Sequence, residues 1–163
     1  LPSDAYIRIR PACIEDAEAI QSIIAALARE TVGPTQSVLS VDAVRRYAFG
    51  PDKAVEPIVA ERGGAVVAAM ILYDEFSTWR GMKGVHVLDI YILPDARGSG
   101  LGRRLISEAA RWGRARGAGY VKLSVDEHNL KAVNFYETIG FVESSHDRMF
   151  ILSGDAFQSI GDA

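Results

Sequence analysis

At 163 residues the chain has room for one well-cored domain and too little for two ordinary ones, so a single domain over residues 1–163 is expected. Its hydrophobic share of 48% and charged share of 24% exclude a disordered chain. A formal charge of −3 leaves no basic footprint for nucleic acid, and no apolar run of about 20 residues points to a membrane.

Tyr6 to Arg10 alternates and predicts a first strand, ended by Pro11. From Ile14 to Arg29, Ala17, Ile20, Ile23, Ile24 and Leu27 recur at helical spacing. A loop with Gly33 and Pro34 follows. Ser40 is placed to cap a second helix over 41–49, stopped by Gly50-Pro51. Residues 57–61 and 65–73 read as strands joined by the turn Arg62-Gly63-Gly64. Residues 74–83 read as a longer connection holding Asp74, Glu75 and Phe76-Ser77-Thr78-Trp79, and 84–93 as the central strand. Next come a helix with Leu105, Ile106, Ala109, Ala110 and Trp112 on one face, a strand over 120–125, and a helix led by Asn129. A last hairpin from 141–145 and 149–152 completes a mixed sheet with helices on both faces.

The central strand runs through Ile90-Tyr91-Ile92-Leu93-Pro94 into Arg97-Gly98-Ser99-Gly100-Leu101-Gly102-Arg103, which opens a helix. Glycines at that junction let backbone N–H groups converge, and a helix N-terminus carries unpaired donors and partial positive charge. The natural occupant is a phosphate or pyrophosphate. The spacing fits neither a dinucleotide fingerprint, since the sixth place from Gly98 is Arg103, nor a triphosphate loop, since Gly102 is followed by Arg103-Arg104. Arginines also gather at 97, 103, 104, 111, 114 and 116. Arg97 and Arg103, beside the loop, are the candidates for neutralising phosphate; the others read as surface.

Cys13 is the only cysteine, which rules out an internal disulfide and reads as a small buried or half-buried residue. His86, His128 and His146 lack metal-ligand spacing, so no metal is expected. The absence of a cationic-apolar leader points to a cytoplasmic protein.

Arg97-x-x-Gly100-x-Gly102, followed by Asn129, Ala132, Phe135-Tyr136 and Gly140-Phe141 after an intervening helix and strand, resembles the paired signatures of the GNAT (Gcn5-related N-acetyltransferase) superfamily. The resemblance covers roughly residues 6–152. It implies an α/β (α+β) fold whose mixed sheet has about seven strands, with four helices on both faces and splayed central strands. It also implies acetyl-CoA as co-substrate, direct acetyl transfer to an amine, and, by analogy alone, a homodimer. Gly98, Ser99, Gly100, Leu101, Gly102, Arg97 and Arg103 would hold the pyrophosphate. Ile90, Tyr91 and Ile92 would pair with the pantetheine arm, with a backbone N–H near Ile92 polarising the thioester carbonyl. Tyr136 stands where the family's general acid lies; the residue pattern alone also fits a core aromatic beside Phe135. Asn129 suits either a helix cap or a contact with the CoA arm.

Phe76-Ser77-Thr78-Trp79, Val87 to Ile92 and Arg148 to Leu152 are similar to the diamine (spermidine/spermine-type) acetyltransferase branch, which implies a small-molecule amine as the acceptor, with a peptide or protein amine, or a non-catalytic acyl-CoA-binding module, as the alternatives. That branch often carries Leu-Glu-Asp at the strand entry, its Glu helping to deprotonate the amine. Here Leu88 occupies the Glu position and Asp89 is kept; in a regular strand the two point to opposite faces. Glu127, at a position often acidic in the branch, becomes the candidate base, and Glu30, Glu75 and Trp79 the candidate amine-binding residues. Several carboxylates around one mouth would attract a cation. An amine with a pKa near 10 is only roughly one part in a thousand neutral at pH 7, so its deprotonation must be assisted.

Overall fold

The computed structural model describes residues 6–33, 39–144 and 149–160, which belong to two compact units, Leu1–Asp126 and Glu127–Ala163. In the first unit, β1 (Arg8–Pro11) leads through a 3-10 turn at Ile14–Asp16 into α1 (Ala17–Val32). Ser40 caps α2 (Val41–Val44) by accepting from the Ala43 N–H at 3.1 Å, and the helix widens into a π turn at Arg45–Phe49. Three strands follow: β2 (Glu56–Arg62), β3 (Ala65–Ser77) and β4 (Met82–Ile92). A 3-10 turn at Pro94–Ala96 then leads to α3 (Leu101–Arg114) and β5 (Ala118–Leu123).

The sheet order is β1-β2-β3-β4-β5. The first four strands are antiparallel neighbours, and β5 joins β4 in parallel through the α3 crossover. Alternation along β2, β3 and β4 feeds two cores. Ile58, Met70, Leu72, Val85 and Val87 pack with Leu101, Leu105 and Ala109 of α3. Val59, Ala69, Ile71 and Tyr91 pack with Ala17, Ile20 and Ile23 of α1. Gly113 lets α3 approach β4 closely, since a Cβ there would meet Val85 Cγ2 at 2.3 Å.

At the other edge, Arg10 grips Asp16 through two bonds of 2.7 and 3.0 Å and also bonds Glu61, tying β1 and β2 to the start of α1. The Arg10 hydrogen bonds hold the Asp16 carboxyl down at about 2 against the opposing effect of burial.

Several expectations are corrected. Residues 74–83 are not a long connection: β3 runs on to Ser77 and β4 begins at Met82, so Glu75 lies within a strand. Longer paired strands simply absorb the polar segment, because one of their faces meets water there. Cys13 is exposed, and the neighbouring Glu15 and Asp16 push its thiol pKa up, which suits an inert cysteine. β4 is also not regular. Leu72 pairs with Val87 while Ile71 pairs with Asp89, leaving Leu88 as the extra residue of a bulge.

The second unit contains α4 (Leu130–Thr138) and α5 (Gly154–Ser159). No strand forms over 141–144 or 149–152, where the final hairpin was expected; residues 145–148, including Ser145 and Arg148, lie outside the described residues. The sheet therefore has five strands among the described residues, against about seven expected, within the same mixed architecture.

Candidate active site

The site begins where two strands part. β4 stays paired with β3 as far as Ile92, opposite Ala68, but with β5 only as far as Val87, opposite Leu123. From 88 to 92 one edge of β4 has no β5 partner. Leu93 N–H donates to the Val67 carbonyl on β3 at 2.9 Å. Backbone alternation then turns the N–H and C=O groups of Ile90 and Ile92 the other way, into the gap. The Ile92 carbonyl accepts from Arg97 Nε at 2.9 Å. Ile90 N–H and C=O and Ile92 N–H remain aimed into the slot, where an extended, amide-bearing chain could pair as a strand does. Tyr91 turns its backbone to β3 and its ring to the α1 core, and its hydroxyl donates to Glu30 at 2.5 Å.

Beyond the slot lies the glycine loop. Ser99 Oγ donates to the Ala96 carbonyl at 2.9 Å and shapes the turn. Gly98 and Gly100 have φ of 77° and 75°, a left-handed geometry in which side chains are strained. Gly100 is the N-cap of α3 and brings no side chain to its first-turn donors. Leu101, 1% exposed, pins the helix start in the core, and Gly102 follows half-buried. Uncapped donors on a glycine-bared surface fit an anion. Arg103 is exposed beside them and makes no ion pair among the described residues. A groove of about 420 Å³ adjoins, lined by Arg8, Gly100, Arg103, Arg104 and Arg111 among others.

Arg97 is differently engaged. Its guanidinium bonds Glu30 at 2.9 and 3.2 Å and lies 5.0 Å over the Tyr91 ring. The base expected on the phosphate and the acid expected at the amine mouth hold each other, and they strap the end of α1 to the loop.

On the α1 face of the sheet, side chains of β3, β4 and β5 form a polar cluster. Glu75 accepts from Tyr120 Oη and from Lys122 Nζ, both at 2.8 Å, and lies 3.4 Å from His86 Nδ1. Tyr73 Oη shares a 2.8 Å hydrogen bond with the same nitrogen, and its ring stacks on the imidazole. Gly84 makes this possible, because a Cβ there would run into the Tyr120 ring at 2.2 Å. Burial alone would raise the Glu75 pKa, but Lys122 and Tyr120 outweigh it and bring the group below its usual range. Burial, then the Lys122 charge, lowers His86. Asp89 is half-buried and makes no hydrogen bond or ion pair among the described residues; burial raises its carboxyl.

Sequence reasoning named Glu75 for the amine mouth but missed Tyr73, His86, Tyr120 and Lys122 around it. The bulge at Leu88 that brings Asp89 to the same face leaves no mark in composition. The one available signal was polar alternation from Tyr73 to Glu75. Trp79, on the β3–β4 hairpin turn, is 99% exposed.

In the second unit, Asn129 caps α4 by accepting from the Ala132 N–H at 3.1 Å. Tyr136 is half-buried, with edge contacts to Phe135 at 5.2 Å and Phe141 at 5.5 Å. Its hydroxyl makes no hydrogen bond among the described residues, and burial raises its pKa. Phe135 is also only half-buried. Glu127 is exposed in a turn four residues past the end of β5, with His128 Nε2 at 3.8 Å.

The family model described as Acetyltransferase (GNAT) family matches residues 21–141. The chain belongs to this family. A thialysine N-epsilon-acetyltransferase of Mus musculus is 32% identical over 96% of this chain and 98% of the mouse protein. An L-ornithine N5-acetyltransferase of Arabidopsis thaliana is 28% identical over 75% of this chain and 50% of that protein. Among solved structures, an integron cassette protein from the mobile metagenome of V. cholerae superposes with a TM-score of 0.80 at 17% identity, covering 96% of this chain and 98% of the other, which shows the shared fold. GNAT enzymes use acetyl-CoA as co-substrate. The slot and the uncapped donors of α3 fit an extended amide arm ending in a diphosphate.

Proposed function

We propose that this GNAT enzyme transfers the acetyl group of acetyl-CoA to a primary amine on a small molecule of the diamine or amino-acid type. The parting of β4 from β5 after Val87, directly upstream of the α3 cradle, carries this reading. The names of the mouse and Arabidopsis relatives support the acceptor class.

In this reading Gly98 to Gly102 bind the diphosphate through backbone N–H groups, and Arg103 adds charge from the exposed side. The arginine-lined groove supplies further positive charge beside them. Ile92 and Ile90 align the arm in turn, and Ile90 N–H, the unpaired donor nearer the fork, stabilises charge developing on the acyl oxygen, a type of contact worth on the order of 3 kcal/mol. When bound, acetyl-CoA supplies an activated acyl group. Tyr136 donates the proton that the departing sulfur needs, and its raised pKa keeps the phenol protonated at neutral pH. Arg97 and Glu30 act together by fixing the loop against α1. Asp89, which lacks a protein partner among the described residues, draws the acceptor ammonium to the slot. Glu127 and Trp79, both exposed, are assigned to the rim. A cytoplasmic homodimer suits the unpaired cysteine and the family likeness.

An acceptor panel of diamines, basic amino acids and short peptides, read by thiol release, tests this assignment. Turnover with small amines above the water rate is expected; release that no amine accelerates refutes it. Tyr136→Phe should lower kcat about 100-fold with little change in acetyl-CoA affinity. Unchanged kcat removes Tyr136 from the acid role.

A further inference from the structure

Neither the slot nor the cradle uses the polar cluster on the α1 face. We propose that His86, backed by Glu75, accepts the proton that the acceptor's ammonium group must lose before attack. This inference rests on the N-acetyl-transfer reading above, and it fills the place left by Leu88.

The first support is position. His86 immediately precedes Val87, the last β4 residue paired with β5. With a rise of about 3.4 Å per residue, its Cα lies within one step of the fork. An arm anchored by its diphosphate at the other end of the slot ends there.

The second support is the bulge. His86 pairs with Tyr73 and Asp89 with Ile71, two residues apart on β3, so His86 and Asp89 share the α1 face. Regular alternation would put positions 86 and 89 on opposite faces. The extra residue Leu88 brings a carboxylate and an imidazole onto one surface, with backbones about 7 Å apart.

The third support is the proton inventory. The Glu75 carboxylate beside Nδ1 favours the tautomer with hydrogen on that nitrogen. Nε2 then holds a lone pair, and it makes no hydrogen bond among the described residues. Tyr73 and Glu75 face the ring from β3, Tyr120 and Lys122 from β5, and Asp89 follows on β4 itself. Glu75 favours the protonated ring, but burial and the Lys122 charge outweigh it. Burial and Lys122 keep it neutral near pH 7, ready to take a proton.

The step balances. Nε2 takes one ammonium proton and passes it to water. The amine nitrogen bonds the acyl carbon as the carbon–sulfur bond breaks, and the second nitrogen proton balances the one that the departing thiolate takes up. Asp89 holds the cation, and Glu75 is a positioning residue.

The test uses the full chain, with kcat and kcat/KM measured from pH 6 to about 9.5 on the best amine of the panel. His86→Gln should lower kcat 30- to 100-fold and abolish the acid limb while acetyl-CoA still binds, and added imidazole should restore part of the rate. Glu75→Gln should lower kcat about fivefold and shift the limb. Nitrogen NMR of the imidazole in the ligand-free protein should show the Nδ1–H tautomer, with a midpoint below the ordinary histidine value. A full rate with an intact acid limb in His86→Gln overturns the proposal, as does an Nε2–H tautomer. Loss of the limb in Asp89→Asn alone transfers the role to Asp89. A wild-type chain that acetylates no amine overturns the N-acetyl-transfer reading as well, so the two failures are distinguishable.

Discussion

The glycine cradle at the start of α3 and the polar cluster on the α1 face lie at opposite ends of one short stretch of β4, and they are built by opposite means. The cradle is made of backbone: two glycines with positive φ, an uncapped helix start and one buried leucine that sets its depth. The cluster is made of side chains from three strands, joined by bonds such as Tyr120 to Glu75 that span 45 residues of sequence. A backbone site depends on conformations that few residues can adopt. A side-chain site depends on strand register, and a single added residue decides it.

The contrast can be broken most severely at Gly100. Nothing lies within 4 Å of a Cβ placed there, so packing permits a side chain while φ of 75° strains it. Gly100→Glu also places an anion on the cradle, and a loss of acetyl-CoA affinity exceeding about 100-fold is expected by calorimetry. Retained affinity would place the diphosphate elsewhere. Gly84 is the matching test for the cluster, and here the obstacle is steric. Gly84→Ala drives a methyl into the Tyr120 ring, so a stability loss of about 1–3 kcal/mol is expected in urea denaturation. An unchanged midpoint would show that Tyr120 moves aside freely.

Asp16 offers a control outside both regions. Its carboxyl, at about 2 when folded against an ordinary 3.8, contributes about 2 kcal/mol that is fully present above pH 4. As pH falls from 4 toward 2 the folded-state carboxylate takes up its proton and that contribution is lost. Acid titration of stability should show this slope, and Asp16→Asn should flatten it. The smallest effect is expected at Arg103, whose exposed guanidinium works partly screened by solvent. Arg103→Ala should raise the KM for acetyl-CoA about threefold, and the increase should shrink in high salt.

The same contrast explains what the sequence disclosed. The cradle was legible because Gly98, Gly100 and Gly102 fall within five consecutive residues and their spacing is itself the structure. Ser40 and Asn129 announced their helices for the same local reason. The pairing of Glu30 with Arg97 spans 67 residues and cannot be read from either neighbourhood, so each had been assigned separately to a ligand. Glu75 was placed in a loop because polar residues within a strand that faces water resemble a connection. The closing hairpin was expected over 141–145 and 149–152, where the apolar run Met149 to Leu152 forms no strand.

One extra residue at Leu88 divides β4 into two lengths out of phase by half a pleat. Upstream, odd-numbered side chains (Val85, Val87) point to the α3 core; downstream, odd-numbered ones (Asp89, Tyr91) point to the opposite side. Removing Leu88 would close the bulge into a uniform ribbon with every remaining side chain on the face it already holds, since Val87 and Asp89 then alternate as strand neighbours do. The added residue therefore bends the strand beside the fork without costing either core a side chain.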